Sequence, residues 1–402
     1  MPEDALDQWQ RYRACLAAEP LPCALIDLDA LEANAHAVVA PLHGTGKTLR
    51  LATKSLRCPD VVARVRQAAG DLVQGLMTYT ASETAFWAER GEGDLLLAYP
   101  VARADDARLV AGANAAGATA AVVADAPEHL ELLAAAAREL DTRIPVVLDL
   151  DVSWRPVGSL LHLGVRRSPL RETVDVVALA RRIVETPGLT FRGVMAYEAQ
   201  IAGVPDSSAA VRAMKAASRG DVVRARAAVA AALARAGLRP AVFNGGGTGS
   251  VAACAGEAAL TEVTAGSGFL DSHLFDGYRG LTLRPAAFFA LPVVRRPGAG
   301  LVACHGGGYV ASGTAGADRL PSPALPPGLK LLSLEGAGEV QTPLDVTGVP
   351  RRAELGLGDP VLFRHAKAGE LAEHFREYLL IRGSCVEARA PTYRGLGKCF
   401  LG

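Results

Sequence analysis

The sequence predicts an α/β protein in which a (β/α)8 TIM-type barrel precedes a C-terminal all-β domain. Its 402 residues suit one barrel with an appendage, because such barrels take about 250 residues. Short apolar runs alternate with helical stretches between about residues 48 and 265, as parallel strands alternate with their crossover helices. Beyond about residue 281 the chain turns into short extended segments separated by Gly and Pro. We therefore expect the barrel over residues 24–281 and the β-domain over residues 282–402, with residues 1–23 packed on the β-domain.

Eight apolar runs supply the predicted barrel strands. In chain order they are TLRLAT (48–53), DLVQGLM (71–77), DLLLAY (94–99), TAAVVA (119–124), IPVVLDL (144–150), LTFRGVMA (189–196), PAVFN (240–244) and LTEVT (260–264). Eight such strands with helices between most of them favour a closed barrel over an open doubly wound sheet.

Helical stretches are predicted where apolar residues recur every three to four positions. They cover residues 57–69, 80–91, 126–140, 171–186 and 207–237. A further strand over 23–28 and a helix over 29–42 precede the first barrel strand, and Asp27 or Asp29 can cap this helix.

The composition excludes several classes of protein. Hydrophobic residues make up 50% of the chain, so it is neither disordered nor collagen-like. The 42 basic residues balance the 42 acidic ones, which gives no reason to expect nucleic-acid binding. A small molecule is therefore the expected partner.

The cysteines and the hydropathy pattern predict a cytoplasmic protein without a membrane partner. The seven cysteines are odd in number and contain no CxxC pair, so neither a disulfide framework nor a zinc finger is expected. The N-terminal segment has no apolar signal core, and no run approaches the length of a membrane span.

The ends of the predicted strands collect the residues that can carry chemistry. Lys54 follows the first barrel strand, Arg155 lies after the fifth, and Tyr197 follows the sixth. Two glycine-rich loops, NGGGTGS (244–250) and GSG (266–268), follow the seventh and eighth. Active sites of such barrels lie at this rim, and phosphate often binds the last two loops.

The glycine-rich loops can bind a phosphate through backbone N–H groups that turn inward. The first loop is not a Walker A motif, and Ser250 stands where the dinucleotide fingerprint needs its last Gly. A tight strand-to-helix turn would explain one such loop alone, whereas two adjacent loops favour a phosphate site.

Lys54 is the residue with the sharpest chemical interpretation. It is one of only six lysines, and a lysine that points into a barrel mouth has a lowered pKa suited to Schiff-base chemistry. A surface or salt-bridged lysine is the alternative. Together with a phosphate site across the rim, Lys54 indicates pyridoxal 5'-phosphate as the cofactor.

Several ordered segments resemble fold-type III pyridoxal-phosphate enzymes. They are LPCALIDLDALEANAHAV, LRLATKSLRCPDVVARV, LDLDVSWRPVG, GVMAYEAQIAG, FNGGGTGS and TEVTAGSGFLD. The pattern is similar to the D-threonine aldolase and D-serine dehydratase group (amino acid deaminase/aldolase) within the alanine-racemase-like superfamily. The resemblance implies a homodimer in which the β-domain of one chain covers the barrel mouth of the other.

The resemblance also implies roles for individual residues. Lys54 corresponds to the Schiff-base lysine, and Lys54, Tyr197 and Arg155 are the expected catalytic residues. The expected cofactor-binding residues are Lys54, Arg155, Tyr197, Asn244, Gly246, Gly247, Thr248, Gly266 and Ser267.

The metal site of this group is altered in the sequence. Tyr393 and Gly395, in APTYRGLGKCF, stand where relatives carry two ligands of a divalent metal. His365, His374 and Cys399 lie nearby and could form a relocated site, although such histidines are more often hydrogen-bonded structural residues. A divalent metal is therefore doubtful.

The proton-transfer groups are altered as well. Ala52 and Leu56 replace two histidines that the group places around its lysine. The second acid or base must then come from Tyr197, Lys54 itself, His365, Tyr393 or His305.

The predicted function is that of a lyase. The enzyme would act on D-configured β-hydroxy-α-amino acids, by retro-aldol cleavage or by dehydrating deamination, through a Lys54 Schiff base. An amino-acid racemase or epimerase is the alternative enzyme, and a non-catalytic protein that binds pyridoxal phosphate is the alternative from another class.

Overall fold

The computed structural model describes residues 4–401, except for the side chain of residue 159. The strands are β1 (Cys23–Asp27), β2 (Thr48–Ala52), β3 (Val73–Thr78), β4 (Asp94–Leu97), β5 (Thr119–Ala124), β6 (Ile144–Asp149), β7 (Leu189–Ala196), β8 (Val242–Gly245), β9 (Glu262–Ala265), β10 (Ala287–Gly298), β11 (Leu301–His305), β12 (Ser322–Leu325), β13 (Lys330–Leu331), β14 (Gln341–Asp345), β15 (Pro360–Arg364), β16 (Glu377–Arg382) and β17 (Cys385–Pro391).

Through the first two thirds of the chain, most strands are followed by an α-helix. They are α1 (Ala5–Cys15), α2 (Leu28–Val39), α3 (Pro59–Ala69), α4 (Ala81–Glu89), α5 (Ala104–Ala115), α6 (Pro127–Glu139), α7 (Thr173–Glu185), α8 (Ala199–Ala202), α9 (Ala209–Arg235) and α10 (Val251–Ala255). Of the two candidate caps for α2, Asp27 is the one used, since its Oδ1 accepts from the Ala30 N–H at 3.0 Å.

The predicted barrel is confirmed. Strands β2 to β9 form a closed parallel barrel in sequence order, and all eight fall on the predicted runs. The barrel closes where β2 pairs with β9, with Leu49 opposite Val263. Leu49, Leu51 and Val263 are fully buried, because strands of a parallel barrel are covered on both faces.

The predicted all-β region is confirmed as a second, mostly antiparallel sheet. Its strand order is β13-β14-β11-β10-β1-β16-β17, and β15 pairs with both β10 and β12. Short extended segments between Gly and Pro form such a sheet because each strand needs only a tight turn to reach its neighbour.

The pairing of strand β1 corrects one of the predicted domain boundaries. Strand β1 pairs antiparallel with β10 and parallel with β16, so residues 24–27 belong to the second sheet and not to the barrel. Helix α1 packs on the same sheet, where Trp9 Nε1 donates to the Pro360 carbonyl at 3.3 Å. An apolar run at the start of a barrel region does not reveal which sheet it will join.

The second sheet reaches the barrel rim beside Lys54. Arg57 forms an ion pair with Glu373 at 2.7 Å, and the Tyr393 N–H donates to the Arg57 carbonyl at 2.8 Å. The segment between β15 and β16 and the segment after β17 therefore lie over the carboxyl ends of the barrel strands. Among the described residues, no helix is long and apolar enough to cross a membrane.

Candidate functional site

A cavity of about 300 Å³ opens at the carboxyl ends of the barrel strands. Most of the predicted site residues line this cavity, although they come from distant parts of the sequence. They are Lys54, Tyr197, Asn244, Gly246, Gly247, Thr248, Gly266 and Ser267. The structure thus brings the lysine and both glycine-rich loops to one place, while the roles of these residues stay predictions.

Lys54 extends into the cavity from the turn after β2, and its Nζ lies 4.4 Å from the ring centroid of Tyr79. Its side chain is accessible through the cavity, yet protein atoms surround the amine on most sides. Burial, together with nearby positive charge, lowers the pKa of Lys54 to about 8. The cations responsible are Arg167, Lys367 and Arg57. An amine with this pKa is neutral in about a tenth of the molecules at pH 7, so it can act as a nucleophile.

The first glycine-rich loop needs glycine for both conformation and space. Gly246 has φ +90°, and a Cβ there would lie 2.5 Å from Val263 Cγ1. The second loop is equally tight, because a Cβ on Gly266 would lie 2.7 Å from Ser55 Oγ. Thr248 Oγ1 accepts from the Gly268 N–H at 3.0 Å and so ties the two loops together. Close-packed glycine backbone with hydroxyls at its edge fits a bound phosphate.

A buried ion pair behind the first loop fixes its path. Glu198 accepts from the Gly246 N–H at 3.0 Å and from Ser250 Oγ at 2.5 Å, and it pairs with Arg226. Arg226 also pairs with Glu257 at 2.8 Å. The pairing with Arg226 and the donated hydrogen bonds outweigh burial and hold the pKa of Glu198 below its usual value. Neither Glu198 nor Arg226 is among the predicted site residues, since their only signal in the sequence is their position after β7 and within α9.

Of the arginines after β6, Arg167 and not Arg155 lines the cavity. The Arg167 guanidinium lies 5.4 Å from the ring centroid of Tyr197 and lines the cavity. Arg155 is absent from the described lining because Asp151, four residues earlier, captures its guanidinium at 2.5 Å. Both arginines follow β6, so strand position alone could not distinguish them.

The second sheet contributes one wall of the cavity, which the sequence analysis also missed. Lys367 and Glu370, from the segment after β15, line the cavity. Lys367 Nζ lies 3.3 Å from a carboxylate oxygen of Glu370 and donates to Ser312 Oγ at 2.7 Å. No local pattern in this segment indicates that it folds back onto a barrel.

The residues proposed for a relocated metal site do not come together. Within residues 4–401 no group of three or more His, Cys, Asp or Glu side chains is arranged to hold a metal ion. His374 stacks on Tyr309 at 4.4 Å between ring centroids, His365 is buried, and Cys399 is exposed.

Tyr393, at one of the positions where relatives carry a ligand, is engaged elsewhere. Its hydroxyl donates to Glu83 Oε1 and accepts from Trp87 Nε1, both at 2.8 Å. Gly395, at the other position, has no side chain to coordinate. The residues present therefore do not fit a divalent metal site.

His365 makes stability depend on pH in the acidic range. Neither of its ring nitrogens has a hydrogen-bond partner among the described residues. Burial, and then the positive charge of Arg364, lower its pKa to about 3. The unfolded value is about 6.5, so this contribution to stability is complete above pH 6.5 and is lost as pH falls toward 3.

We expect this residue alone to reduce the free energy of unfolding by about 2 kcal/mol between pH 7 and pH 5. Urea titrations at both pH values would measure the difference for the wild type and for His365→Leu, which lacks the ionisable ring. The exposed His305, replaced by Gln, serves as the control and should retain the wild-type difference. An equal difference in wild type and His365→Leu would contradict the assignment.

The fold and the cavity together define a class of protein. A closed (β/α)8 barrel whose cavity is lined by a lysine and two glycine-rich loops can hold a phosphorylated aldehyde, because an amine can bond the aldehyde and such loops can bind the phosphate. The chain belongs to the family described as "Alanine racemase, N-terminal domain", whose model matches residues 26–270.

Curated relatives in this family have names that describe aldolases. The chain is 28% identical over 229 residues to a 3-hydroxy-D-aspartate aldolase from Paracoccus denitrificans (strain Pd 1222), covering 57% of this chain and 54% of that protein. It is 27% identical over 261 residues to a D-threonine aldolase from Arthrobacter sp, covering 64% of this chain and 62% of that protein. The matches thus span little more than half the length of these relatives.

Solved structures support the fold over nearly the whole chain. The D-threonine aldolase from Filomicrobium marinum superposes with a TM-score of 0.81 at 22% identity, covering 94% of this chain and 96% of that one. The D-threo-3-hydroxyaspartate dehydratase from Delftia sp. HT23 superposes with a TM-score of 0.78 at 20% identity, covering 94% and 98%. At these identities the likeness establishes the fold alone.

Proposed function

We propose that this protein is a pyridoxal 5'-phosphate-dependent lyase that acts on D-configured β-hydroxy-α-amino acids. The observation that carries the proposal is the single cavity lined by the Lys54 amine and both glycine-rich loops. The aldolase relatives support the substrate class, because a β-hydroxyl next to an α-amino carbon is common to the compounds in their names.

The residues around the cavity suit each part of this cofactor. Lys54 would bond its aldehyde carbon, and Thr248, Gly266 and Ser267 would hold its phosphate through N–H and hydroxyl groups. Gly247, whose N–H donates to Ser250 Oγ at 3.1 Å, would leave room for the phosphate. Arg167 takes the place that the sequence analysis gave to Arg155, since its guanidinium faces the cavity beside Tyr197.

Bound pyridoxal phosphate supplies an electron sink for the pair released when a bond to Cα breaks. Lys54 Nζ, whose pKa is lowered to about 8 in this cavity, would serve as the base that takes the Cα proton in dehydration. In retro-aldol cleavage the base must instead take the proton of the β-hydroxyl, and Lys54 Nζ, which lines the cavity with a lowered pKa, would serve there too.

The other polar groups of the cavity orient the substrate. Burial, and then the charge of Glu198, raise the pKa of Tyr197 to about 12, so its hydroxyl keeps its proton at neutral pH and acts as a hydrogen-bond donor. Arg167 places positive charge at the cavity, which would attract the substrate carboxylate, whereas the charge of Lys367 is balanced by Glu370.

The proposal predicts products that a panel of D-β-hydroxy amino acids would reveal. We expect either glycine with an aldehyde, from retro-aldol cleavage, or a keto acid with ammonia, from dehydration, identified by mass spectrometry. Because the donor residues do not fit a metal site, a chelator should leave the rate unchanged. Matched L-isomers serve as the control. Exchange of the Cα proton for solvent deuterium without either product pair would contradict the lyase and indicate a racemase.

We also propose that the protein works as a homodimer in a reducing cytoplasm. All seven cysteines are free thiols, which supports a reducing compartment. Tyr99 and Leu160 follow β4 and β6 at the rim and are exposed by 55% and 89%, which supports a covering partner there. Light scattering at micromolar concentration should give twice the mass of 41.7 kDa, and a monomeric mass would contradict the dimer.

A further inference from the structure

The floor of the cavity is apolar except at two neighbouring residues. The barrel-strand residues that line the cavity are Ala52, Met77, Met195, Asn244, Thr264 and Ala265. Only Asn244 and Thr264 carry polar side chains, and they lie on the adjacent strands β8 and β9. Any polar atom of a ligand that reaches the floor must therefore meet one of these two.

Hydrogen bonds to Glu262 and Thr264 fix the orientation of the Asn244 amide. Asn244 Nδ2 lies 2.8 Å from Glu262 Oε1 and 2.7 Å from Thr264 Oγ1. A carboxylate only accepts hydrogen bonds, so the amide nitrogen and not its oxygen must face Glu262. Both amide hydrogens are then used, one toward each neighbour.

Glu262 is itself held in place by the barrel interior. Arg50 donates to its two carboxylate oxygens at 2.6 Å and 2.9 Å. Arg50 and Glu262 are both buried, and a bidentate arginine–carboxylate pair has a defined geometry. The order of contacts from the barrel centre to the cavity is thus Arg50, Glu262, Asn244 and Thr264.

The hydrogen bond from Asn244 determines which hydrogen-bonding group of Thr264 is left for a ligand. Its Oγ1 already accepts a hydrogen bond from Asn244, and within the described residues its own hydroxyl hydrogen has no acceptor. A threonine hydroxyl is one donor as well as an acceptor. Because Thr264 lines the cavity, the free hydrogen is available to a ligand atom that accepts.

We propose, resting on the proposed function, that the Thr264 hydroxyl donates a hydrogen bond to the ring nitrogen of pyridoxal phosphate. That nitrogen lies across the ring from the aldehyde carbon, so it faces away from Lys54 and toward the floor. A nitrogen that accepts from a hydroxyl stays unprotonated, and the ring withdraws electrons less strongly than a pyridinium would. Thr264 is thus a cofactor-contacting residue, and Asn244 and Glu262 are positioning residues that act through it.

Nitrogen NMR of the reconstituted protein tests the proposal without reference to turnover. Protein loaded with pyridoxal phosphate carrying 15N in the ring should give the chemical shift of a neutral, hydrogen-bonded pyridine. Thr264→Val keeps the side-chain volume but removes the donor, so the signal should move to that of a neutral pyridine without a hydrogen bond. Thr264→Ser restores the hydroxyl and should restore the wild-type shift.

Cofactor affinity gives a second measurement. Loss of one hydrogen bond should weaken pyridoxal phosphate binding by about two- to tenfold in Thr264→Val, with Thr264→Ser near wild type. An analogue with carbon in place of the ring nitrogen should bind wild type and Thr264→Val equally.

Two results would overturn the inference. A pyridinium shift in the wild type would show that the ring nitrogen is protonated, and this measurement needs no variant. A shift that is the same in wild type and folded Thr264→Val would show that Thr264 makes no contact. Both leave the proposed function intact, whereas failure of Lys54 to bond the cofactor at all would overturn the proposed function and this inference together.

Discussion

Replacement of Lys54 by Ala should nearly abolish the proposed lyase reaction and remove the visible absorbance band expected of a cofactor bonded to Lys54. Among the described residues, Lys54 and Lys367 are the lysines that line the cavity, and Lys367 comes from the second sheet and is paired with Glu370. In the proposed function Lys54 both bonds the cofactor and transfers protons, which solvent cannot replace, so turnover should fall on the order of a thousandfold or more. Absorbance titration and product assays would measure both effects.

The pKa of Lys54 adds a pH dependence to this expectation. Because the pKa is lowered from 10.5 to about 8, the neutral amine becomes more abundant as pH rises toward 8. The rate of cofactor capture by the apoprotein should therefore increase between pH 6 and pH 8 and level off above that range. With a lysine of normal pKa, the rate of cofactor capture would continue to increase until well above pH 10.

The matched control replaces a lysine remote from the cavity. Lys330 lies in strand β13 with an exposed side chain. Its replacement by Ala should leave the absorbance band and the rate at wild-type values. If Lys54→Ala kept both the band and the activity, the assignment of the cavity as the reactive site would be wrong.

The barrel could be predicted because its determinants are local. Each barrel strand is a short apolar run, and Lys54 and the two glycine-rich loops follow strand ends directly, so the common direction of the strands brings them to one rim. Predictions of this kind need only the position of a residue relative to its own strand.

Other parts of the site depend on contacts between distant segments. Strand β1 looked like the start of the barrel, yet its neighbours β10 and β16 are more than 250 residues away. Arg155 forms an ion pair with Asp151, so Arg167 lies at the cavity in its place. Lys367 reaches the cavity only because the second sheet folds over the rim. No sequence window contains these partners, so they needed the three-dimensional structure.

Replacement of Gly369 by Ala should have a large effect for a single added methyl group. Gly369 has φ +84°, and a Cβ there would lie 1.8 Å from the Lys54 carbonyl oxygen and 2.9 Å from Ser55 Cα. The contact is with backbone, which cannot rotate away as a side chain can. The segment after β15 must then move off the rim, or the turn that carries Lys54 must shift.

Gly358→Ala separates the conformational cost of alanine at positive φ from the steric contact of the added Cβ with backbone. Gly358 has φ +83° and nothing within 4 Å of an added Cβ, so its replacement should cost only the conformational penalty, about 1 kcal/mol. Gly369→Ala should lower the free energy of unfolding by about 3 kcal/mol or more. It should also weaken cofactor binding, because the Lys54 turn is displaced. Denaturant titration and cofactor affinity measure the two effects, and equal losses in both variants would mean that the contact between Gly369 and Lys54 does not constrain the site.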